Sequence, residues 1–268
     1  MSQAERNVLV TGATDGIGRQ TALELARRGF HVIVHGRSGE RIHATRDQIA
    51  REVPGAKIDY VEADFQVLAQ VRRMAAELAA RWGHLEVLIN NAGIYANDPH
   101  LTIDGWESTF GVNHVAAFVL TLELLPLLRR AAAPRIVNVS SVAHSRGRIE
   151  PETFRTLHRF EPYHAYAQSK LANALFTIEL QRREPGVAVN ALHPGVVSTK
   201  LLTEGFGMRG PDSIDEGAAT SVWLAASPEA GRLRGAYCVR SRPSTPSTLA
   251  RDEELARRLW ELTEEGVR

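Results

Sequence analysis

Along nearly the whole chain, short and almost continuously apolar runs alternate with longer segments in which apolar residues recur at helical spacing. The runs at 7–11, 31–36, 57–63, 85–90, 135–140, 188–192 and 236–239 predict strands. Val8-Leu9-Val10 and Val32-Ile33-Val34 show no polar alternation, as strands covered on both faces should. Segments 16–28, 41–52, 67–82, 106–130, 163–183 and 214–226 predict helices, and the charged stretch 251–265 predicts an exposed amphipathic one. This order implies an α/β fold: a doubly wound, Rossmann-type sheet of about seven parallel strands with helices on both faces. No repeat or linker divides the chain, so residues 1–268 are expected to form a single domain. Residues 241–247 read as a surface crossing to the C-terminal helix at about 250–265, and the glycine-rich stretch 205–212 reads as a mobile loop.

Composition removes several classes of function. The 268 residues carry 32 Lys+Arg against 31 Asp+Glu, a formal charge of +1, so the basic surplus that nucleic acid demands is missing. The single cysteine, Cys238, excludes an internal disulfide and suits a reducing compartment. The polar N-terminus has no signal-peptide core, and the longest apolar runs fall well short of the ~18 residues of a spanning helix. A cytoplasmic protein without a membrane anchor is therefore expected. Ten histidines raise the question of metal, but His31 and His35 stand ~13 Å apart along a strand and no Cys/His cluster exists. No metal site is expected, and no G-x-S-x-G elbow suggests a serine hydrolase.

The first strand runs into Thr11-Gly12-Ala13-Thr14-Asp15-Gly16-Ile17-Gly18, and a helix follows at once. Glycines allow a tight turn and close approach of backbone to a pyrophosphate, while the helix N-terminus offers free N–H groups. The spacing is G-x-x-x-G-x-G rather than G-x-G-x-x-G. At the end of the second strand an acidic residue would bond the ribose 2′-hydroxyl of NAD, whereas arginine accommodates the 2′-phosphate of NADP. That strand ends in His35-Gly36-Arg37, so Arg37 favours NADP over NAD.

Tyr166 and Lys170 are four apart in a helical segment and share one face. A neighbouring ammonium is expected to draw a phenol from pH 10 toward neutrality, making it a usable acid/base. Only Lys57, Lys170 and Lys200 are lysine in this arginine-rich chain, which makes the pairing less ordinary. Ser140 and Ser141 end the fifth strand, on the edge where parallel sheets bind ligands, although serine also caps turns. Asn90-Asn91-Ala92-Gly93 lies at the same edge, and Asn113 sits in an apolar helix where an amide needs a partner.

Thr11–Gly18, Asn90–Gly93, Asn113, Ser141, Tyr166 with Lys170, and Pro194-Gly195 together resemble the short-chain dehydrogenase/reductase family, over about residues 6–240. The Arg135–His144 stretch, the long gap between Ser141 and Tyr166, and Ser169-Lys170-Leu171-Ala172-Asn173 resemble its retinol dehydrogenase-like branch. Ala116 stands where that branch tends to have glycine, and the anchor of many branch members is not seen.

The resemblance implies that Tyr166 exchanges a proton with the substrate oxygen and that Lys170 lowers its pKa and binds the nicotinamide ribose. It favours Ser141 over Ser140 for orienting the carbonyl, and gives Asn113 a relay water. It places Gly12, Thr14, Asp15, Gly16, Ile17 and Gly18 around the pyrophosphate, Arg37 and Asp64 around the adenosine, and Asn91, Ala92 and Gly93 near its ribose. Pro194, Gly195, Val197 and Thr199 would face the nicotinamide.

The expected activity is NADP-dependent hydride transfer between nicotinamide C4 and a small-molecule carbonyl or alcohol. Leu201, Leu202, Phe206 and Met208, in a lid at about 200–214, suggest a hydrophobic substrate. A non-catalytic NADP sensor would usually lack the tyrosine–lysine pair. A sugar-nucleotide epimerase or dehydratase would commonly carry a longer C-terminal domain than the residues after Gly195 provide. The helices at 106–130 and 163–183 could pair across a homodimer or homotetramer, as those of relatives do.

Overall fold

The computed structural model describes residues 6–268. Its strands are β1 (Asn7–Val10), β2 (His31–Gly36), β3 (Ile58–Glu62), β4 (Val87–Asn90), β5 (Arg135–Val139), β6 (Ala188–His193), β7 (Tyr237–Val239) and β8 (Arg242–Ser244). They form one sheet in the order β3-β2-β1-β4-β5-β6-β7-β8. β1 to β7 pair in parallel, and β8 alone runs antiparallel, Tyr237 facing Ser244. The segment expected to be a plain surface crossing thus holds an edge strand. Its only signal was three residues long, with a proline that an edge tolerates.

On one face, α1 (Gly16–Arg27), α2 (Gly39–Glu52) and α7 (Ile214–Ala226) bury Leu25, Ile42, Ile49 and Val222 against Val8, Val10, Val32 and Val34. The other face is covered by α3 (Leu68–Arg81), α5 (Ala116–Leu128), α6 (Pro162–Arg183) and α8 (Glu253–Gly266). Alternate residues of one strand therefore feed two cores, which is why Leu9 and Ile33 lie with the second group. The C-terminal helix is less exposed than its charge suggests. Trp260 packs edge-on to Phe118 at 4.8 Å and stacks on Phe176 at 5.8 Å.

The expected helix at 106–130 is broken near its start. α4 (Ser108–Phe110) passes through a π turn, Gly111–Val115, into α5. The whole stretch Ser108–Leu128 is long and apolar enough to cross a membrane, with a mean hydropathy of 1.6 that scattered short runs concealed. Its most apolar 18-residue window is 83% buried inside the fold, as in a core helix. After β3 the chain returns across the sheet to place β4 beside β1. The connections diverge there, leaving a crevice at the carboxyl ends of β1 and β4.

Candidate active site

A cavity of about 940 Å³ opens over those strand ends. Its floor is the turn between β1 and α1. Gly12 adopts φ +64°, and a Cβ there would meet Ala92 Cα at 2.8 Å. A Cβ on Gly18 would stand 2.3 Å from the Gly12 carbonyl and 2.4 Å from Asn91 Nδ2. Asn91 Nδ2 donates to the carbonyls of Thr11 (2.8 Å) and Gly12 (3.3 Å), while Thr11 Oγ1 accepts from the N–H groups of Asn91 and Ala92. The turn is thereby stitched to the end of β4. The first N–H groups and positive dipole end of α1 meet the cavity, an arrangement that suits a pyrophosphate.

At the tip of β2, His35 is 3% exposed. Its Nδ1 accepts from Gly12 N–H at 3.1 Å, and its Nε2 faces the Ala63 carbonyl at 3.1 Å. The ring is thus a neutral bridge between the glycine turn and β3, and burial pushes its pKa down to about 4. Beyond it stand exposed Arg37 and Arg41, both bordering the cavity. Arg41 pairs with Asp15 at 3.0 Å, and Lys200 reaches the same carboxylate at 3.5 Å. Lys200 is thereby tied to the cavity wall.

At the other end lie Ser141, Tyr166 and Lys170. Tyr166 and Lys170 are both buried on α6, with Nζ 5.5 Å from the centre of the phenol ring and donating to the Val139 carbonyl at 3.1 Å. Ser140 points away, its hydroxyl donating to the Lys170 carbonyl at 2.7 Å. Ser141 caps the 3₁₀ turn Val142–Arg146 and faces the phenol, so of the two serines bordering the cavity it is the second whose hydroxyl is turned toward Tyr166. Over them hangs a π turn, Leu201–Gly205, followed by Phe206, whose ring lies 4.0 Å from Tyr95 and 5.2 Å from Tyr166. The expected lid has structure in its first half, while Met208 is 56% exposed at its outer edge.

The model for "short chain dehydrogenase" matches residues 6–208. Human retinol dehydrogenase 13 is 39% identical over 95% of this chain and 82% of its own. A solved protein of unstated function from Mycobacterium paratuberculosis superposes with a TM-score of 0.81 at 38% identity, covering 98% of this chain and 93% of that one. A short chain dehydrogenase structure from Escherichia coli CFT073, complexed with NADPH, gives a TM-score of 0.74 at 26% identity, covering 88% and 97%. The chain belongs to the short chain dehydrogenase family.

In this short chain dehydrogenase, each expected site residue borders the cavity except Asn113. That side chain is 1% exposed and stands behind the wall, at the π turn. Oδ1 accepts from Ile94 N–H at 2.7 Å, and Nδ2 donates to the Ile94 carbonyl and Ser169 Oγ at 3.0 Å each. It fixes the segment leading to Tyr95, and its Oδ1 and Lys170 Nζ both lie beside Gly93, 3.3 and 3.5 Å from where a Cβ on that glycine would stand. Sequence reasoning missed Arg41, four residues after Arg37 in the first turn of α2, and also His35, Tyr95 and His193, which border the cavity. The arginine spacing was a usable signal. The others approach through folding, and nothing local marks them.

Burial opposes the expected effect of Lys170 on Tyr166. Burial pushes the phenol up to about 12, and the facing Ser141 hydroxyl recovers only part of that. The same burial brings the Lys170 ammonium down to about 8. Desolvation is the leading cause for both groups, which are buried one turn apart on α6.

Proposed function

We propose that this short chain dehydrogenase is an NADP(H)-dependent oxidoreductase that reduces a carbonyl on an apolar small molecule to the alcohol. One observation carries the reading: a buried Tyr166 phenol shares a single cavity with Ser141, Lys170 and a glycine-lined helix N-terminus. The residues fit a dinucleotide: Gly12 and Gly18 have no room for a Cβ, which keeps the turn tight against Asn91 and Ala92 and leaves the N-terminus of α1 open to a pyrophosphate. Bound NADPH supplies the hydride.

The protein does the rest. Tyr166 donates its proton to the carbonyl oxygen as charge develops there, and Ser141 holds that oxygen by a second hydrogen bond. Lys170 keeps a positive charge beside the phenol, stabilising the phenolate left behind. Arg37 and Arg41 favour NADP over NAD, because two guanidinium groups border the adenosine end where a 2′-phosphate would lie. The E. coli NADPH complex supports that preference. Asp64, Asn91, Ala92 and Gly93 border the cavity and would face the adenosine, while Pro194, Gly195, Val197 and Thr199 border it and would face the nicotinamide. Leu201, Leu202, Phe206 and Met208 border the substrate end, which suits an apolar molecule, as does the relative named for retinol.

NADPH oxidation, followed by absorbance against a panel of apolar aldehydes and ketones, tests the reading. Turnover supports it. Tight NADPH binding without turnover on any carbonyl or alcohol would make the chain a sensor instead.

A further inference from the structure

The peptide joining Ser141 to Val142 is held at both of its polar groups by imidazoles. The Ser141 carbonyl lies 2.6 Å from His144 Nδ1, and the Val142 N–H donates to His193 Nδ1 at 3.2 Å. His144 comes from the 3₁₀ turn that Ser141 caps, whereas His193 ends β6. Two elements distant in sequence thus converge on one peptide plane.

The hydrogen bonds assign the tautomers. His144 Nε2 accepts from Ser247 N–H at 3.1 Å, so a neutral ring carries its proton on Nδ1 and donates to the Ser141 carbonyl. The Tyr237 hydroxyl oxygen, 3.3 Å from Nδ1, is a second neighbour of that proton. His193 Nδ1 must be bare to accept from Val142, which leaves its proton on Nε2. The two rings are therefore opposite tautomers, one giving to the peptide and the other taking from it. Either ring in the wrong tautomer sets N–H against N–H or lone pair against lone pair.

We infer that His144 and His193 are positioning residues, which together fix the orientation of the Ser141 hydroxyl toward the substrate oxygen. The inference rests on the carbonyl reductase reading for its catalytic consequence, but not for its geometry. Ser141 is extended, at φ −160° and ψ 160°, and its Oγ accepts from Ala143 N–H at 3.2 Å. The Ser141 carbonyl also accepts from the His144 N–H at 3.1 Å, which closes the 3₁₀ turn, so the backbone already holds one side of the peptide plane. His144 Nδ1 gives that carbonyl a second partner, and His193 holds the N–H on the opposite side, which pins the plane at both of its polar groups. Through Ser247 N–H, the clamp also ties the catalytic edge to the segment after β8, which otherwise lies far from the chemistry.

The test exploits ring geometry. Asparagine places its amide atoms where the δ1 atom of histidine sits, whereas glutamine reaches the ε2 position. His193→Asn can keep the acceptor facing Val142, and His193→Gln cannot. His144→Asn can keep the donor facing Ser141 and gives up Ser247. We expect His193→Gln to lower kcat by about 10- to 100-fold, with KM changed less than about threefold, and His193→Asn to recover most of the loss. Equal activity of the Asn and Gln variants overturns the inference.

Nitrogen-15 NMR of histidine-labelled wild-type protein reads the tautomers without any substrate. Signals are assigned by their disappearance in His144→Asn and His193→Asn. An Nδ1–H ring at 144 with an Nε2–H ring at 193 supports the clamp, and any other pairing overturns it. Should the wild type reduce no carbonyl, the catalytic reading fails while the NMR result still decides the geometry.

Discussion

Tyr166 and Lys170 lie one helical turn apart, with Nζ 5.5 Å from the ring centre, and burial moves their proton affinities in opposite directions. The phenol rises to about 12 and the ammonium falls to about 8, so the lysine loses its proton first as pH increases. Carbonyl reduction needs both groups protonated. We expect kcat/KM for reduction to be level below pH 7 and to fall above about pH 8. Lys170→Arg, which cannot deprotonate, should lose that alkaline limb even if its overall rate is lower. A wild-type profile flat to pH 10 would show that Lys170 does not control the reaction.

Tyr166→Phe removes only the hydroxyl and keeps the ring contacts with Tyr95 and Phe206. Loss of general acid catalysis should cost about 10²- to 10⁴-fold in turnover. NADPH affinity, measured by fluorescence titration, should stay within about threefold. Retained turnover would remove Tyr166 from its role.

The two arginines at the β2 end give a prediction about cofactor choice. Replacing both Arg37 and Arg41 with Ala should weaken NADPH binding by about tenfold or more and leave NADH within about threefold, because only NADPH carries the 2′-phosphate. Dissociation constants for both nucleotides check it. An equal loss for both would mean that the arginines hold the adenosine generally, or that freeing Asp15 from Arg41 disturbs the turn.

Gly18 tests the cradle itself. A methyl group there would lie 2.3 Å from the Gly12 carbonyl and 2.4 Å from Asn91 Nδ2, distances no ordinary Cβ contact reaches. Gly18→Ala should weaken NADPH binding by about 10²-fold and lower the melting temperature by several degrees, because the turn must open to admit it. Gly29→Ala makes a control with free space around the Cβ, although its φ of +76° carries a strain of its own. Unchanged nucleotide binding in Gly18→Ala would deny the turn its part.

Much of this was legible from local pattern. The parallel strands declared themselves because strands buried on both faces have no polar alternation, and the glycine turn and the Tyr166–Lys170 pair are contiguous in sequence. β8 escaped because a three-residue edge strand containing Pro243 carries almost no periodic signal. The π turn around Asn113 escaped because apolar spacing does not distinguish a wide turn from an ordinary one. The electrostatics of Tyr166 escaped for a different reason. Spacing showed that a charge stood near, but the depth of burial depends on Phe206 and Tyr95, which fold over it from elsewhere.

Two deeply buried histidines should make the fold sensitive to acid. His35 and His114 are 3% and 1% exposed, and burial holds both near pKa 4 against an ordinary 6.5. His35 bridges Gly12 and Ala63, while His114 bridges Asn173 and Thr263. Between about pH 6.5 and 4 the unfolded chain binds protons at these sites that the folded chain refuses, so unfolding gains as pH falls. Their stabilisation is complete above about pH 7 and is lost on the way down to about pH 4. Lowering the pH from 7 to 5 should cost on the order of 2 kcal/mol per histidine, about 4 kcal/mol together. Denaturant unfolding curves at the two pH values measure the loss, and His114→Gln should lessen the slope by about half. A folding free energy that is constant from pH 7 to pH 5 would show that these rings accept protons in place.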